Sequence, residues 1–390
     1  MSTLKVDNIR HNSATSDAIT MASDGTCSAK LSSVNDGQLS HRNMIINGGM
    51  MISQRGSSVA ITGGSNTVPL IDRYMAVANS GMTYNVTISQ EADNPSGLGK
   101  SFKSLTTSAK TPSGSENYII RTKLEEQDIT RIGFGTSGCK KTTLTFWVKS
   151  NKTGTYSVMI AINSFSINLL TSYTINAQNT WEKKTISIPE YTTSYTHPAD
   201  NGSGFTCDWH LSSGPDDLVS AHSWQTSATN ARAVTGQVNL LDTIGNYWQL
   251  ANVQYEVGEV STPFEHRSIG DELRRCQRYF FNITGNNTNR PGIPAFANST
   301  STVRAQVAFP TAMRQLPTIS GSSTNMVFDS SDDSNLFLCS AISSGGGTTS
   351  ANPTHMVIEA DPGGMTAGQG GQLEFRADNG FINFSAEFTF

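Results

Sequence analysis

The chain has 390 residues, a formal net charge of −4, only 15% Asp, Glu, Lys and Arg, and 36% apolar side chains. With no basic excess, wrapping of nucleic acid by phosphate neutralisation is excluded as the main activity, and no run of about 18 apolar residues offers a membrane-spanning helix. Ser, Thr, Asn and Gly, the residues of strand faces and turns, stand where the charge is missing.

Residues 1–43 read as an arm. Leu4, Val6 and Ile9 form a short, partly alternating apolar strip, and Ile19 with Met21 forms a second, ahead of the turn Ser23-Asp24-Gly25. So little apolar surface cannot close a core, and the strips are expected to dock on another chain. The opening MSTLKVDNIR has no apolar h-region, so no secretory leader is expected. Cys27, Cys139, Cys207, Cys276 and Cys339 are odd in number and widely spread, as befits reduced thiols in a cytoplasm.

Met44-Ile45-Ile46, Asn47-Gly48-Gly49 and Met50-Met51-Ile52 predict a hairpin at the entrance to a compact region over 44–268. Runs at 71–78, 82–90, 116–124, 141–150, 154–163, 179–189 and 246–258 have strand composition. Several alternate with period two: Leu144, Phe146 and Val148 oppose Thr145, Trp147 and Lys149. Short strands of this kind between Gly, Asn, Ser and Pro clusters predict an all-β chain built on an antiparallel jelly-roll-like β-sandwich.

Residues 205–224, FTCDWHLSSGPDDLVSAHSW, read as loop-rich. Trp209 with Asp208 and His210 is the candidate glycan-binding set, because ring faces stack on sugar C–H groups and polar side chains read hydroxyls. His210, His222, Asp208, Asp216 and Asp217 match no standard metal-ligand spacing, so neither metal nor cofactor is expected. Glu125-Glu126 and Asp216-Asp217 are the candidate carboxylate pairs for glycoside hydrolysis. Adjacent strand residues point to opposite faces, and both pairs are expected in solvated turns. Nucleophile-elbow, zincin, P-loop and dinucleotide motifs do not occur.

Ser268 and Asp271 cap one short connecting helix, with Leu273 and Cys276 on one face. Beyond it, strand-like runs alternate with Gly-rich loops at 321–323, 343–350 and 362–371, predicting a C-terminal β domain over 269–390. Phe384, Ala386, Phe388 and Phe390 share one parity in its last run.

Residues 246–281 carry the sharpest pattern. Val253-Gln254-Tyr255-Glu256-Val257-Gly258 precedes Thr262-Pro263-Phe264-Glu265-His266-Arg267, then Glu272-Leu273 and Cys276-Gln277-Arg278-Tyr279-Phe280. This stretch resembles a segment recurring in tail-fibre and other virion structural proteins of bacteriophages, with Tyr255 where Leu is commoner and Phe280 where Tyr is. His41–Met50 with Gln54-Arg55-Gly56 looks like the domain opening of such proteins. The first 26 residues are similar to the N-termini of fibres in phages of marine cyanobacteria and related hosts.

The resemblance implies a carbohydrate-binding-module-like sandwich in a homotrimeric fibre. It implies an arm docked to a tail tube, nozzle, adaptor or baseplate protein through Leu4, Val6, Ile9 and Ile19. It further implies a place on the virion and non-enzymatic adhesion to a host-surface glycan such as lipopolysaccharide, by a C-terminal β tip, without nucleic acid or membrane insertion. Glu256, Gly258, Pro263, Phe264, Glu265, His266, Arg267, Cys276, Arg278 and Tyr279 are read as structural. Phe264 is expected to plug the base of the sandwich, Glu265 to pair with Arg267, and Leu273, Cys276 and Tyr279 to pack the helix as a bracket between two β units. A fibre-borne glycan depolymerase and a purely structural tail adaptor or decoration protein are the rival readings.

Overall fold

The computed structural model describes residues 6–10, 12–13, 15, 17–29, 40–63, 67–97, 99–195, 197–198, 200–226, 232–286, 288–322, 325–330, 336–344, 351–376, 378 and 380–388. Two antiparallel sheets face each other across the largest core. One runs in the order Glu182–Ile188, Thr142–Ser150, Tyr247–Val257, Ser101–Ser108, Asn85–Glu91, Ser58–Thr62. The other runs His222–Thr226, Ile167–Ile175, Gly154–Ile162, Ser203–Ser213, Asn117–Glu125, Met75–Asn79, Thr67–Pro69. The jelly-roll-like sandwich is therefore present, and Leu144, Phe146 and Val148 point into its core as the alternation requires.

The entrance differs from the expected hairpin. Residues 44–52 form no strand; they make a tight turn with Asn47 and Met50 at positive φ, 58° and 59°. The Asn47 side chain explains this. Its Nδ2 donates to the Ile52 and Asp72 carbonyls at 2.8 and 2.9 Å, and its Oδ1 accepts from the Ile52 amide at 3.0 Å. A side chain that supplies its own backbone partners competes with the ladder. Gly48 lies so close to the Val253 carbonyl that a Cβ would sit 2.1 Å from that oxygen.

Ser203–Ser213, taken as loop-rich from its polar residues, is instead a central strand of the seven-stranded sheet. Its two faces are both buried. Cys207, Trp209 and Leu211 enter the core, while Asp208 and His210 are buried on the opposite face of the sheet, where Met159, Leu170 and Val234 cluster with Phe165 and Val219 at the margin. Asp208 is held there by Arg121 of the neighbouring strand, whose Nε and Nη2 donate at 2.6 and 2.7 Å to its two oxygens. Such a bidentate fork is the arrangement that makes a buried carboxylate tolerable.

After the helix Ile269–Gln277, capped by Ser268 Oγ accepting from the Asp271 amide, a second β unit has its own core. Phe280–Gly285, Gly380–Ser385 and Thr318–Gly321 form a three-stranded sheet. A larger sheet runs Leu336–Leu338, Met326–Ser330, Gly370–Phe375, Ile293–Ala297, Val303–Ala308, His355–Ala360, Ile342–Ser344, with Ala351–Asn352 beside His355–Ala360. Phe328, Ile358, Leu373, Ile382 and Phe384 fill the space between them. Phe384, Ala386 and Phe388 are buried; Phe390 lies outside the described residues. Four cysteines, Cys139, Cys207, Cys276 and Cys339, are free thiols.

In the arm, Asn8–Ile9, Ile19–Met21 and Cys27–Ala29 pair as a small antiparallel sheet. Val6 and Ile19 are half-buried and Ile9 is 48% exposed, and none joins a hydrophobic cluster. Leu4 lies outside the described residues.

Asp208→Asn is expected to destabilise the chain by about 3–5 kcal/mol, because Arg121 is left buried without its counter-charge. The double change Arg121→Met, Asp208→Leu is expected to recover most of that loss. Urea unfolding of the three proteins checks both, and equal stability of wild type and Asp208→Asn would contradict the buried pair.

Candidate functional site

The sequence-derived glycan set is not a surface. Trp209, Asp208 and His210 are fully buried. Trp209 meets Phe146 edge-on, with ring centroids 5.7 Å apart, inside the sandwich core. Burial pushes the His210 imidazole down to about 4, so it is neutral at pH 7 and offers solvent no charge. Trp224 is half-buried, its Nε1 donating to the Pro189 carbonyl at 2.7 Å. A sugar reaches none of the three proposed residues in this fold, and that assignment is corrected.

Three of the four candidate acid–base carboxylates, Glu125, Glu126 and Asp217, are buried and engaged rather than solvated, while Asp216 is exposed. Arg278 Nε and Nη2 donate to the two Glu125 oxygens at 2.6 and 2.7 Å, and the Tyr279 hydroxyl donates to Oε1 at 2.6 Å. Burial alone would raise the Glu125 carboxyl, but Arg278 and Tyr279 outweigh it and hold it below the usual carboxylate range. Glu126 faces His197, and Asn117 Nδ2 donates to Asp217 at 2.8 Å. Among the described residues no cluster of His, Cys, Asp and Glu is arranged to hold a metal ion.

The Glu125 bonds belong to a junction built by 246–281. Gln254 Nε2 donates to Glu256 at 2.8 Å, and Glu256 accepts from the Thr262 amide and hydroxyl at 2.9 and 2.6 Å. Gly258, at φ 121°, turns the chain out of its strand. Glu265 accepts from the Arg42 and Asn43 amides at 3.1 and 3.0 Å, and Arg267 donates to the Ile45 and Asn43 carbonyls. Glu265 and Arg267 approach within 3.5 Å of each other. The exit of the sandwich is thus stapled to its entrance.

Pro263 and His266 are exposed. Phe264 does not plug the core; its half-exposed ring lies edge-on to His266, 5.0 Å between centroids, beside Gly49. Ile46 and Ile52 pack with Cys276, Tyr279 and Phe388, and with Leu273 at the margin, in a cluster separate from the sandwich core.

Charge closes the same junction. Arg73, 1% exposed, pairs with Glu387, donates to the Lys123 carbonyl at 2.7 Å and stacks 3.4 Å over the Tyr279 ring. Arg314 donates to the Ala386, Glu387 and Asn201 carbonyls at 2.7, 2.8 and 3.1 Å. The two β units therefore share a core and a buried polar network.

Beside this junction opens a cleft of about 890 Å³, walled by Gln54–Gly56 on the sandwich side and by the three-stranded sheet on the other. Register builds its floor. Asn282 lies opposite Asn383, Thr284 opposite Phe381, and Ser320 flanks Asn383. The alternate residues Phe281, Ile283, Ile382 and Phe384 turn into the C-terminal core. Asn282 Nδ2 donates to the Gln54 carbonyl at 2.8 Å, and Gln54 Nε2 to the Phe280 carbonyl at 2.7 Å. Sequence reading passed over these residues; the one available signal was Asn in the middle of two strand-like runs, where it is disfavoured.

No protein-family model and no curated protein matches the sequence. Among solved structures the chain is similar to the enzymatically active domain of tailspike protein 4 of bacteriophage CBA120, with a TM-score of 0.30 and 14% identity over 55% of this chain and 21% of that one. It is also similar to the family 11 carbohydrate-binding module of a Clostridium thermocellum cellulosomal cellulase, with a TM-score of 0.27 and 12% identity over 55% of this chain and all of that one. A third likeness is to the K1 cleaved adhesin domain of Lys-gingipain from Porphyromonas gingivalis, with a TM-score of 0.24 and 12% identity over 53% of this chain and all of that one. The chain thus spans about a fifth of the length of the tailspike structure. Scores and identities this low say nothing about what this chain binds.

Glu125 titrates lower in the folded chain than in the unfolded one, so its contribution is whole above the ordinary carboxylate range near about 4.3 and is lost as pH falls through the depressed value. Glu125→Gln is expected to lower stability at neutral pH by about 2–4 kcal/mol, the lower bound allowing for solvent at the Arg278 side chain, which is 30% exposed. It should also flatten the loss of stability on acidification. Urea titrations at about pH 7 and about pH 3.5 test this; identical acid slopes in wild type and variant would contradict the assignment.

Proposed function

We propose that this chain is a non-enzymatic bacteriophage tail-fibre protein, a homotrimeric virion component that sticks the particle to its host's surface. It is made in the host cytoplasm and docked to a tail protein by its N-terminal arm. The observation that carries this reading is the 246–281 segment. Its resemblance is to virion structural proteins, and its polar residues spend their hydrogen-bonding capacity on joining the entrance and exit of the sandwich to the second β unit. That is the work of a rigid support.

Three further features support it. The arm sheet keeps Ile9 and Met21 exposed, at 48% and 39%, as a segment that packs on a partner does. Phe296, Leu336 and Leu338, at 49%, 49% and 67% exposed, lie on the outward face of the larger C-terminal sheet, as suits a chain that associates with copies of itself. The buried carboxylates are committed to guanidinium, hydroxyl, imidazole and amide partners, whereas glycoside hydrolysis needs two carboxyls flanking an open bond. Three copies per fibre would turn weak single contacts into useful avidity.

Antibody raised against the purified chain is expected to decorate projecting fibres on virions that carry it. The purified chain should sediment at three times the monomer mass, adsorb to host cells, and release no reducing ends from host polysaccharide. Release that disappears on a carboxylate-to-amide change would make it a depolymerase. Decorated fibres without adsorption would make it a structural adaptor.

A further inference from the structure

We propose that the cleft between Gln54–Gly56 and the strands Phe280–Gly285 and Gly380–Ser385 binds an uncharged, hydroxyl-rich oligosaccharide. This assignment rests on the adhesive reading and names its contact site and ligand class.

The floor of the cleft is costly for the fold unless it is used. Asn282 and Asn383 are paired mid-strand, a position where β-branched or aromatic residues stabilise a sheet and Asn weakens it. Asn383 makes no side-chain hydrogen bond among the described residues, so an amide donor and an amide acceptor both face the opening. Asn282 commits its Nδ2 to the Gln54 carbonyl and keeps its oxygen. Asn286 commits its Oδ1 to the amides of Thr288 and Asn289 at 2.8 and 2.7 Å and keeps its NH2. Phe381, half-exposed beside Thr284, supplies a ring. Amides at fixed spacing next to an aromatic surface match vicinal hydroxyls beside an apolar C–H face. The volume, about 890 Å³, lies within the usual range for ligand clefts of about 300–1,000 Å³.

Charge decides between ligand classes. Of the described lining residues only Arg55 and Asp378 carry charge. The Arg55 guanidinium is already spent: it lies 3.4 Å from Asp72 and 3.3 Å from Glu387, and its carbon stacks 3.6 Å over the Phe280 ring. Asp378 adds a negative group. Among the described lining residues an acidic sugar would find no available cation and one repelling carboxylate, whereas a neutral one meets amides, a hydroxyl and a ring.

The test uses the full chain with two immobilised probe panels, neutral oligosaccharides of hexoses and N-acetylhexosamines, and acidic ones bearing uronic or sialic acid. Wild type is expected to bind members of the neutral panel with little dependence on salt. Asn383→Val, which should leave the melting temperature unchanged or raised, is expected to weaken that binding about three- to tenfold or more. Binding confined to the acidic panel, or abolished by salt, overturns the ligand class. Neutral-glycan binding or cell adsorption unchanged in Asn383→Val overturns the cleft and leaves adhesion standing. Adsorption to cells with neither panel bound points to a protein receptor and overturns the assignment. A wild-type chain that neither adsorbs nor binds either panel overturns the adhesive reading, and this inference with it.

Discussion

The grip of Arg278 and Tyr279 on Glu125 is the contact around which the molecule is organised. Glu125 is the last residue of a sandwich strand; Arg278 and Tyr279 follow the connecting helix and lead into the C-terminal sheet. One carboxylate therefore fixes where the second unit begins. Arg73 repeats the device from the other direction, taking Glu387 near the chain's end and laying its guanidinium over Tyr279. Buried ion pairs add little net stability over apolar packing of the same volume. They are, however, directional, and each one misplaced would leave an unpaired charge worth several kcal/mol. In a joint between two β units, that penalty selects one relative orientation.

The same principle explains the back of the sandwich. Asp208, Arg121 and neutral His210 are buried on the face of the seven-stranded sheet that turns away from the sandwich core, so the strand Ser203–Ser213 is buried on both faces. The polar surface left open lies instead beside the joint, where the cleft draws one wall from each unit. A rigid joint keeps those walls at fixed spacing, which limits the ordering a ligand must impose on binding.

The sandwich was readable because Thr142–Ser150, Gly154–Ile162 and Tyr247–Val257 carry long apolar runs or clean alternation, the direct trace of a pleat with a buried face. Ser203–Ser213 was not, because local polarity cannot show that Asp208 will meet Arg121, 87 residues away. Without that partner its acid and imidazole look like surface, and the core tryptophan between them looks like a sugar platform. The entrance turn escapes a linear reading for a related reason: Asn47 has the composition of a hairpin turn, while its side chain holds both ends of the loop together. The cleft was invisible for a different one. Asn282 and Asn383 become neighbours only through strand register, which a linear reading does not supply.

The claim that a buried network makes the two β units mechanically one is tested most directly by differential scanning calorimetry of the full chain. If the joint couples them, sandwich and C-terminal unit unfold in a single cooperative transition whose calorimetric and van't Hoff enthalpies agree. Two well-separated transitions, each with its own enthalpy, would contradict it.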